Sequence, residues 1–267
     1  MREIYIFDAW MKSNLYYRIK RSLQRLTLLS LGGIISLVIV SCEKNSQPPT
    51  PVTPVPRTLQ VWLHRVNSIS KAQHFQYDYS GFELDVHFDT SVRTFIVKHD
   101  ATDTSTLTLS TWLSSISDPE RLGYWLDFKN LDPTLKDPAL AELLRIRQTF
   151  GLNKKTIVVE SSNPSCLIKF DTLNFHPSFY IPTFDPSVTS PEDELVFKNF
   201  IQENISQSGI KTISGYSMQH EFMQEWFPTM NKLLWYLDST DIDVKNAIIA
   251  ETEMDNTVEV LLVAVDY

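Results

Sequence analysis

Short apolar segments recur along the chain from Thr58 onward, and the clearest of them end in a histidine or a charged residue. Runs of this length are typical of buried strands rather than helices. The clearest candidate strands are Leu59–His64, Gly81–His87, Thr94–His99, Tyr124–Lys129 and Lys155–Glu160. The weaker candidates are Phe179–Thr183, Thr212–Tyr216, Leu233–Leu237, Ala247–Ala250 and Val258–Val265.

Segments with a helical period separate several of these candidate strands. The spacing of apolar residues predicts helices over Leu107–Ile116, Pro138–Phe150 and Glu192–Ile205. Thr108 and Asp137 are predicted to cap the first two of these helices, because short polar side chains accept hydrogen bonds from the free N–H groups of a first turn.

The alternation of strands and helices predicts an α/β fold with a parallel sheet. Eight or more strands within roughly 210 residues fit a compact or irregular (β/α)8 TIM barrel. The segment between Val86 and Phe95 is too short for a crossover helix, so an irregular unit is expected there. An open, doubly wound sheet is the alternative, but no Gly-rich nucleotide-binding motif supports it.

The first 41 residues differ in character from the rest of the chain. A basic stretch ending at Arg25 precedes the uninterrupted apolar segment Leu26–Val40. This order is typical of a secretory signal, and the apolar segment is short for a membrane-spanning helix. The Val-Ser-Cys sequence that ends at Cys42 resembles a bacterial lipobox, in which the cysteine is acylated and becomes the mature N-terminus. An uncleaved anchor helix is the alternative.

Three regions follow from this reading. Residues 1–41 are the predicted signal peptide, 42–57 the lipidated cysteine with a proline-rich, extended tether, and 58–267 the barrel. The resulting expectation is a membrane-anchored lipoprotein of the bacterial cell envelope. With Cys42 acylated, Cys166 is the remaining cysteine, so no intramolecular disulfide is expected.

The charge balance limits the partners of the protein. The chain holds 32 acidic and 24 basic residues, a net charge of −8, and removal of residues 1–41 makes the balance more negative. A nucleic-acid partner bound through a basic surface is therefore not expected. Any phosphate-bearing ligand needs local cations, since the protein repels anions at long range.

Several candidate strands carry ionisable residues at or near their C-terminal ends. Glu83 and Asp85 are two residues apart, so their side chains face the same way, and Asp127 and Lys129 repeat this spacing. In a barrel these ends meet at one mouth, where active sites lie. The candidate site residues at strand ends are His64, Arg65, Glu83, Asp85, His99, Asp127 and Lys129.

Three carboxylates at one mouth repel one another, and a divalent metal with oxygen ligands resolves this repulsion. Glu83, Asp85 and Asp127 are therefore predicted to bind Mg²⁺ or Ca²⁺. Arg65 and Lys129 would offset phosphate charge, while His64 and His99 would exchange protons, a combination suited to phosphoryl transfer.

These residues resemble those of the glycerophosphodiester phosphodiesterases and their phospholipase-C-like barrel relatives, and more closely the menorin branch of that group. The matching pieces lie roughly between residues 59 and 165. They are His64-Arg-Val-Asn67-Ser68, Phe82-Glu-Leu-Asp-Val86, His99-Asp100, Leu107-Thr-Leu with Trp112-Leu113, and Leu126-Asp-Phe-Lys-Asn130.

The resemblance implies a TIM barrel, metal ligands at Glu83, Asp85 and Asp127, and acid–base histidines at His64 and His99. Two departures are evident, since the phosphodiesterases usually have Glu at the position of Asp127 and Gly at that of Val66. They also carry an insertion after the His-Asp segment that is missing here. These differences imply a pocket of different shape.

Two functions of different classes remain open from the sequence. The first is a metal-assisted hydrolase of a phosphodiester small molecule or lipid headgroup, anchored to the membrane by its lipid. The second is a catalytically silent barrel that binds a ligand or partner at the envelope. Asn67 is interpreted as a turn residue, and Glu160 as a further candidate metal ligand.

Overall fold

The computed structural model describes residues 59–152, 157–236 and 241–267. Its nine strands form one sheet. They are β1 (Gln60–Leu63), β2 (Gly81–Asp89), β3 (Thr94–Val97), β4 (Gly123–Phe128), β5 (Ile157–Ser161), β6 (His176–Tyr180), β7 (Thr212–Tyr216), β8 (Asn231–Tyr236) and β9 (Val258–Val263).

Seven α-helices in the described residues accompany the strands. They are α1 (Ile69–Phe75), α2 (Leu109–Leu113), α3 (Lys136–Thr149), α4 (Pro164–Thr172), α5 (Pro191–Ser208), α6 (His220–Trp226) and α7 (Ile242–Thr252). Two 3₁₀-helices cover Pro119–Arg121 and Ser217–Gln219. Within the described ranges, no helix is long and apolar enough to cross a membrane.

Eight of the strands close into a parallel barrel, which confirms the predicted TIM-barrel fold. Parallel neighbours run in the order β1, β2, β4, β5, β6, β7, β8 and β9, and β9 pairs back to β1. The closed barrel excludes the open doubly wound sheet. All eight strands point the same way, so their C-terminal ends form one mouth.

The irregular unit lies where the short connection predicts it. β3 is antiparallel to the second half of β2, pairing Val86 with Val97, and it lies on the edge of β2 opposite β4. β1 pairs with β2 only near Phe82, so it leaves the outer half of that edge to β3. The β2–β3 hairpin therefore extends the wall beside the barrel mouth and brings the segment after Val97 to it.

In the lower interior of the barrel, the Trp62 side chain packs directly on the backbone of two glycines. Trp62 packs so closely on Gly81 and Gly123 that a Cβ atom on either glycine would lie within 2.4 Å of the indole. These two glycines are register partners on β2 and β4. The apolar interior cluster contains Trp62, Trp125, Val158, Leu233, Val260 and Leu262.

Two local predictions are wrong. Ala247–Ala250 belongs to α7 rather than to a strand, because Asp241 caps that helix and accepts from the backbone N–H groups of Asp243 and Val244. Asp137 lies inside the first turn of α3, which begins at Lys136 without a side-chain cap. The Thr108 cap is confirmed, since its hydroxyl accepts from the Thr111 N–H. The predicted signal segment, Cys42 and the tether lie outside the described residues.

Candidate active site

A cavity of about 130 Å³ opens at the C-terminal mouth of the barrel. It contains every site residue predicted from the strand ends. Its lining consists of His64, Arg65, Glu83, Asp85, His99, Trp125, Asp127, Lys129, Glu160, Tyr180, Trp235 and Leu262.

Three carboxylates form the centre of this cavity. Oxygen atoms of Glu83, Asp85 and Asp127 lie within 4.8 Å of one another, and Asp85 is the register partner of Asp127 across β2 and β4. Burial, followed by repulsion from the other two carboxylates, raises the pKa of Glu83 well above its usual value. Burial also raises the pKa of Asp127. Burial thus disfavours the ionised forms of Glu83 and Asp127.

Lys129 and Asn67 hold Asp85 from two sides. Lys129 Nζ lies 2.8 Å from Asp85 Oδ1 and also contacts Asp127 Oδ2. Asn67 donates from Nδ2 to Asp85 Oδ2 at 2.6 Å and accepts from the Asp85 N–H at 3.0 Å. Although burial works against ionisation, the bonds to Lys129 and Asn67 lower the pKa of Asp85. These two contacts thus favour the ionised form of Asp85.

The turn after β1 is built around Glu83. Arg65 lies in the left-handed region, with φ 52°, and donates its backbone N–H to Glu83 Oε2 at 2.7 Å. Non-glycine residues adopt this conformation at a cost of about 1 kcal/mol or more. Lys71 supports the turn by donating to the carbonyl oxygens of His64 at 3.0 Å and Arg65 at 3.2 Å. Strained backbone at this point directs an N–H into the carboxylate cluster.

His64 is a neutral imidazole against the carboxylate cluster. Its Nε2 lies 3.4 Å from Glu83 Oε2. Burial and the nearby Arg65 charge lower the pKa of His64 to about 3. The ring is therefore uncharged at neutral pH, and a free ring nitrogen is available to accept a proton.

His99 reaches the same cavity from the end of the β2–β3 hairpin. Its Nδ1 lies 2.9 Å from Asp100 Oδ1, and its Nε2 lies 3.4 Å from Arg65 Nη2. The side chain is 41% exposed. His87 fixes the hairpin end by donating from Nε2 to the His99 carbonyl at 3.1 Å. The ring is thus oriented toward the cavity with one nitrogen on a carboxylate.

The donor set of the cluster fits a hard divalent cation. Carboxylate oxygens are the ligands that Mg²⁺ and Ca²⁺ prefer, and oxygen atoms of Glu83, Asp85 and Asp127 lie within 4.8 Å of one another. Burial and repulsion by Asp85 and Asp127 raise the pKa of Glu83, so added cationic charge would favour its ionised form. A divalent ion would supply that charge.

Two residues of this region differ from the roles that the sequence predicts for them. Asn67, interpreted as a turn residue, bonds the side chain and backbone of Asp85 instead. Ser68 is the residue that caps α1. Glu160 lies in the cavity beside Asp127 but outside the group of three close carboxylates. No local pattern in the sequence indicates this role, because the turn after β1 must first bring Asn67 over β2.

Comparisons with solved structures return glycerophosphodiester phosphodiesterases. An enzyme of this name from Parabacteroides distasonis superposes with a TM-score of 0.54 at 15% identity, over 78% of this chain and 94% of that one. A phosphodiesterase from Oleispira antarctica, in complex with the product sn-glycerol-3-phosphate, gives 0.52 at 12% identity, over 76% and 92%. No family model and no curated protein matches the sequence. At these identities the likeness establishes the fold alone.

Proposed function

We propose that this protein is a metal-assisted phosphodiester hydrolase, exported and held at the bacterial cell envelope by a lipid on Cys42. The observation that carries the proposal is one cavity in which the ends of different strands bring together four carboxylates, two imidazoles and two cations. Phosphoryl transfer needs these groups, because charge develops on the phosphoryl oxygens while protons leave the nucleophile and reach the leaving group. The similar fold of known phosphodiesterases supports the same reading.

Glu83, Asp85 and Asp127 would hold the metal, Mg²⁺ or Ca²⁺. When bound, such an ion supplies Lewis-acid polarisation of a phosphoryl oxygen. Lys129 and Arg65 both line the cavity and would contact the remaining phosphate oxygens. Asn67 and the backbone N–H of Arg65 keep two of the carboxylates in place.

The two histidines take different parts in the proposed reaction. His64 is buried and neutral, so it accepts the proton of the attacking hydroxyl. His99 is more exposed and has its Nδ1 on the Asp100 carboxylate, so in this proposal it gives a proton to the leaving oxygen. Their common cavity allows both transfers on one substrate.

The test is a phosphodiester screen of the full chain in detergent with Mg²⁺ or Ca²⁺. On any substrate found, we expect His64→Ala and His99→Ala each to lower kcat by about 10²–10⁴. The two losses should not multiply, because the residues act as a unit. A p-nitrophenyl ester needs little protonation on leaving and should partly restore His99→Ala only. His74→Ala, outside the cavity, is the matched control. Full activity in both cavity variants would refute the mechanism.

One observation favours the second candidate, a catalytically silent barrel that binds a ligand or partner. Lys129 contacts both Asp85 and Asp127 and so neutralises part of the cluster without any metal. Elemental analysis of purified protein, with and without chelator treatment, separates the two candidates. The hydrolase requires a bound divalent ion that chelator removes, whereas the silent barrel requires none.

A further inference from the structure

The turn between β1 and α1 presents groups of the candidate site from strained backbone. It places His64 Nε2 3.4 Å from Glu83 Oε2, and it directs the Arg65 N–H to the same carboxylate oxygen at 2.7 Å. Arg65 reaches this position at φ 52°, a conformation that residues with a Cβ atom adopt only at an energetic cost. Contacts elsewhere in the folded chain must therefore hold the turn.

The two peptide units that flank Arg65 are each held at both ends. In the first unit, the His64 carbonyl accepts from Lys71 Nζ at 3.0 Å, while the Arg65 N–H donates to the Glu83 side chain. In the second unit, the Arg65 carbonyl accepts from Lys71 Nζ at 3.2 Å, while the Val66 N–H donates to the Glu83 carbonyl at 2.9 Å. A peptide unit is planar, so contacts at its two ends fix its orientation. Lys71 and Glu83 together thus determine φ and ψ of Arg65.

The position of Lys71 is unfavourable for a lysine by local rules. It lies in the first turn of α1, where its own N–H donates to the Ser68 cap at 3.2 Å. The helix dipole disfavours a cation there, and this turn contains no acidic residue to offset it. Burial lowers the pKa of Lys71, whereas the neighbouring Glu83 carboxylate raises it. A residue that breaks local preferences beside a site is expected to have a role in that site.

We propose that Lys71 is a positioning residue for the metal site, which holds Arg65 in its left-handed conformation and so keeps the Arg65 N–H and the His64 imidazole against Glu83. This inference rests on the proposed function, because it takes Glu83 as a metal ligand. Lys71 itself touches neither metal nor substrate and acts through the turn.

The direction of the effect on metal binding distinguishes positioning from charge. An ammonium group near carboxylates repels a divalent cation, so loss of the Lys71 charge alone would tighten metal binding. Loss of positioning has the opposite sign, because Glu83 then loses the N–H that orients it. Removal of such an outer partner of a metal ligand typically weakens metal binding 10- to 100-fold.

The experiment measures Mg²⁺ and Ca²⁺ binding by titration calorimetry, with the full chain in detergent. The ion that the wild type binds more tightly is then used for the variants. We expect Lys71→Met to weaken its binding about tenfold or more. If Lys71→Met does not fold, Lys71→Gln replaces it with the same expectation. Lys169→Met is the matched control, because Lys169 is an exposed lysine that pairs with Asp137 outside the cavity, and it should bind the ion like the wild type.

A second comparison tests the conformation of Arg65 itself. Arg65→Gly and Arg65→Ala both remove the guanidinium, but only glycine adopts φ 52° without strain. With Lys71 present, the two variants should bind the metal ion with equal affinity. In the Lys71→Met background, Arg65→Gly should bind it about tenfold more tightly than Arg65→Ala, because glycine has less need of the two bonds from Lys71.

Three outcomes would overturn the inference. Unchanged or tighter metal binding by Lys71→Met shows that Lys71 does not position the site, and it leaves the metal site and the proposed function intact. Equal affinity of the two Arg65 variants in the Lys71→Met background shows that Lys71 does not act through the conformation of Arg65. Failure of the wild type to bind either ion overturns the proposed function together with the inference.

Discussion

At the scale of single residues, the candidate site is a set of charges that the chain alone does not balance. Glu83 and Asp127 have raised pKa values because burial disfavours their ionised forms. Lys129 compensates only in part: burial opposes its charge, but Asp127 and Asp85 outweigh this effect and raise its pKa. Bound divalent metal should therefore stabilise the folded protein.

The first prediction concerns this stabilisation. Mg²⁺ or Ca²⁺ at a hundredfold excess over Kd should add about 2.7 kcal/mol to the free energy of unfolding and raise Tm accordingly. Asp85→Asn should abolish the shift, because it removes the carboxylate that Asn67 and Lys129 hold in its ionised form. Differential scanning calorimetry measures both. Asp171→Asn, an exposed change, is the control and should shift like the wild type. An undiminished shift in Asp85→Asn would refute the site.

The sequence predicted the charged residues of the site but not the residue that positions them. Glu83 and Asp85 lie on one face because strand side chains alternate, which the spacing alone determines. The bonds from Asn67 to Asp85 join residues eighteen apart. They depend on how the turn after β1 passes over β2, and no local pattern encodes that path.

At the scale of elements, the neighbours β1, β2 and β4 form a packing unit beneath the site. The indole of Trp62 occupies the space where side chains of Gly81 and Gly123 would lie. This close approach fixes the positions of the three strands relative to one another along the barrel axis. Since Asp85 and Asp127 follow these glycines by four residues on their strands, the same packing sets the height of the carboxylates.

The second prediction is that Gly123→Ala destabilises the barrel by about 1–3 kcal/mol, because its methyl group would collide with the Trp62 ring. The midpoint of urea unfolding measures this loss. In a Trp62→Leu background, Gly123→Ala should lower the free energy of unfolding much less, because the indole ring is absent. If the loss is equal in the two backgrounds, the contact with Trp62 is not its cause.

A second buried polar group joins β8 to the turn before β9. The Lys232 side chain is 1% exposed, and its Nζ lies 3.5 Å from Asp255 Oδ2. Lys232 also donates to the Met230 carbonyl at 3.3 Å and contacts Thr257 Oγ1. His220 Nε2 reaches the same Asp255 oxygen at 3.0 Å. Although burial opposes it, hydrogen bonds from Thr257 and His220 lower the pKa of Asp255.

The third prediction follows from this arrangement. Asp255→Asn should lower the free energy of unfolding by about 3 kcal/mol near neutral pH, because it leaves Lys232 charged and buried without its carboxylate partner. The pKa of Asp255 is lower in the folded state than in the unfolded chain, where it is about 4. Its contribution to the free energy of unfolding is therefore complete above about pH 4. It is lost as the pH falls through the folded-state pKa. The difference between wild type and variant in urea unfolding should therefore shrink as the pH is lowered from 4. A difference that grows in acid would contradict the pairing.

Adding Lys232→Met to Asp255→Asn provides the matched control. The double variant should be more stable than Asp255→Asn alone, because no unpaired charge remains in the interior. Lower stability of the double variant would show that Lys232 contributes through packing rather than through charge.

At the scale of the whole molecule, the fourth prediction concerns the N-terminal region. Because Cys42 ends a lipobox-like segment, Cys42→Ser should leave the protein unlipidated and released from membranes without detergent. Fractionation and mass spectrometry of the N-terminus measure this. The wild type is expected in the membrane fraction with an acylated cysteine. Retention of the variant in membranes with residues 1–41 intact would establish an uncleaved anchor instead.

The sequence by itself determined the alternation of elements, the irregular unit between β2 and β3, and the face on which Glu83 and Asp85 lie. These follow from local periodicity and connection length, which act over a few residues. Local reasoning failed at Ala247–Ala250, because a short apolar run fits a strand or a helix equally well.

Only the tertiary structure decided which other groups join the predicted strand-end residues. Barrel closure pairs β9 with β1 and brings Tyr180, Trp235 and Leu262 to the same cavity, although they are far from Glu83 in the sequence. It also buried Trp125 and Glu160 together in the cavity, which their positions in the sequence do not reveal. The physical reason is that burial and contact depend on how distant segments pack, whereas the local sequence sets only the form of each segment.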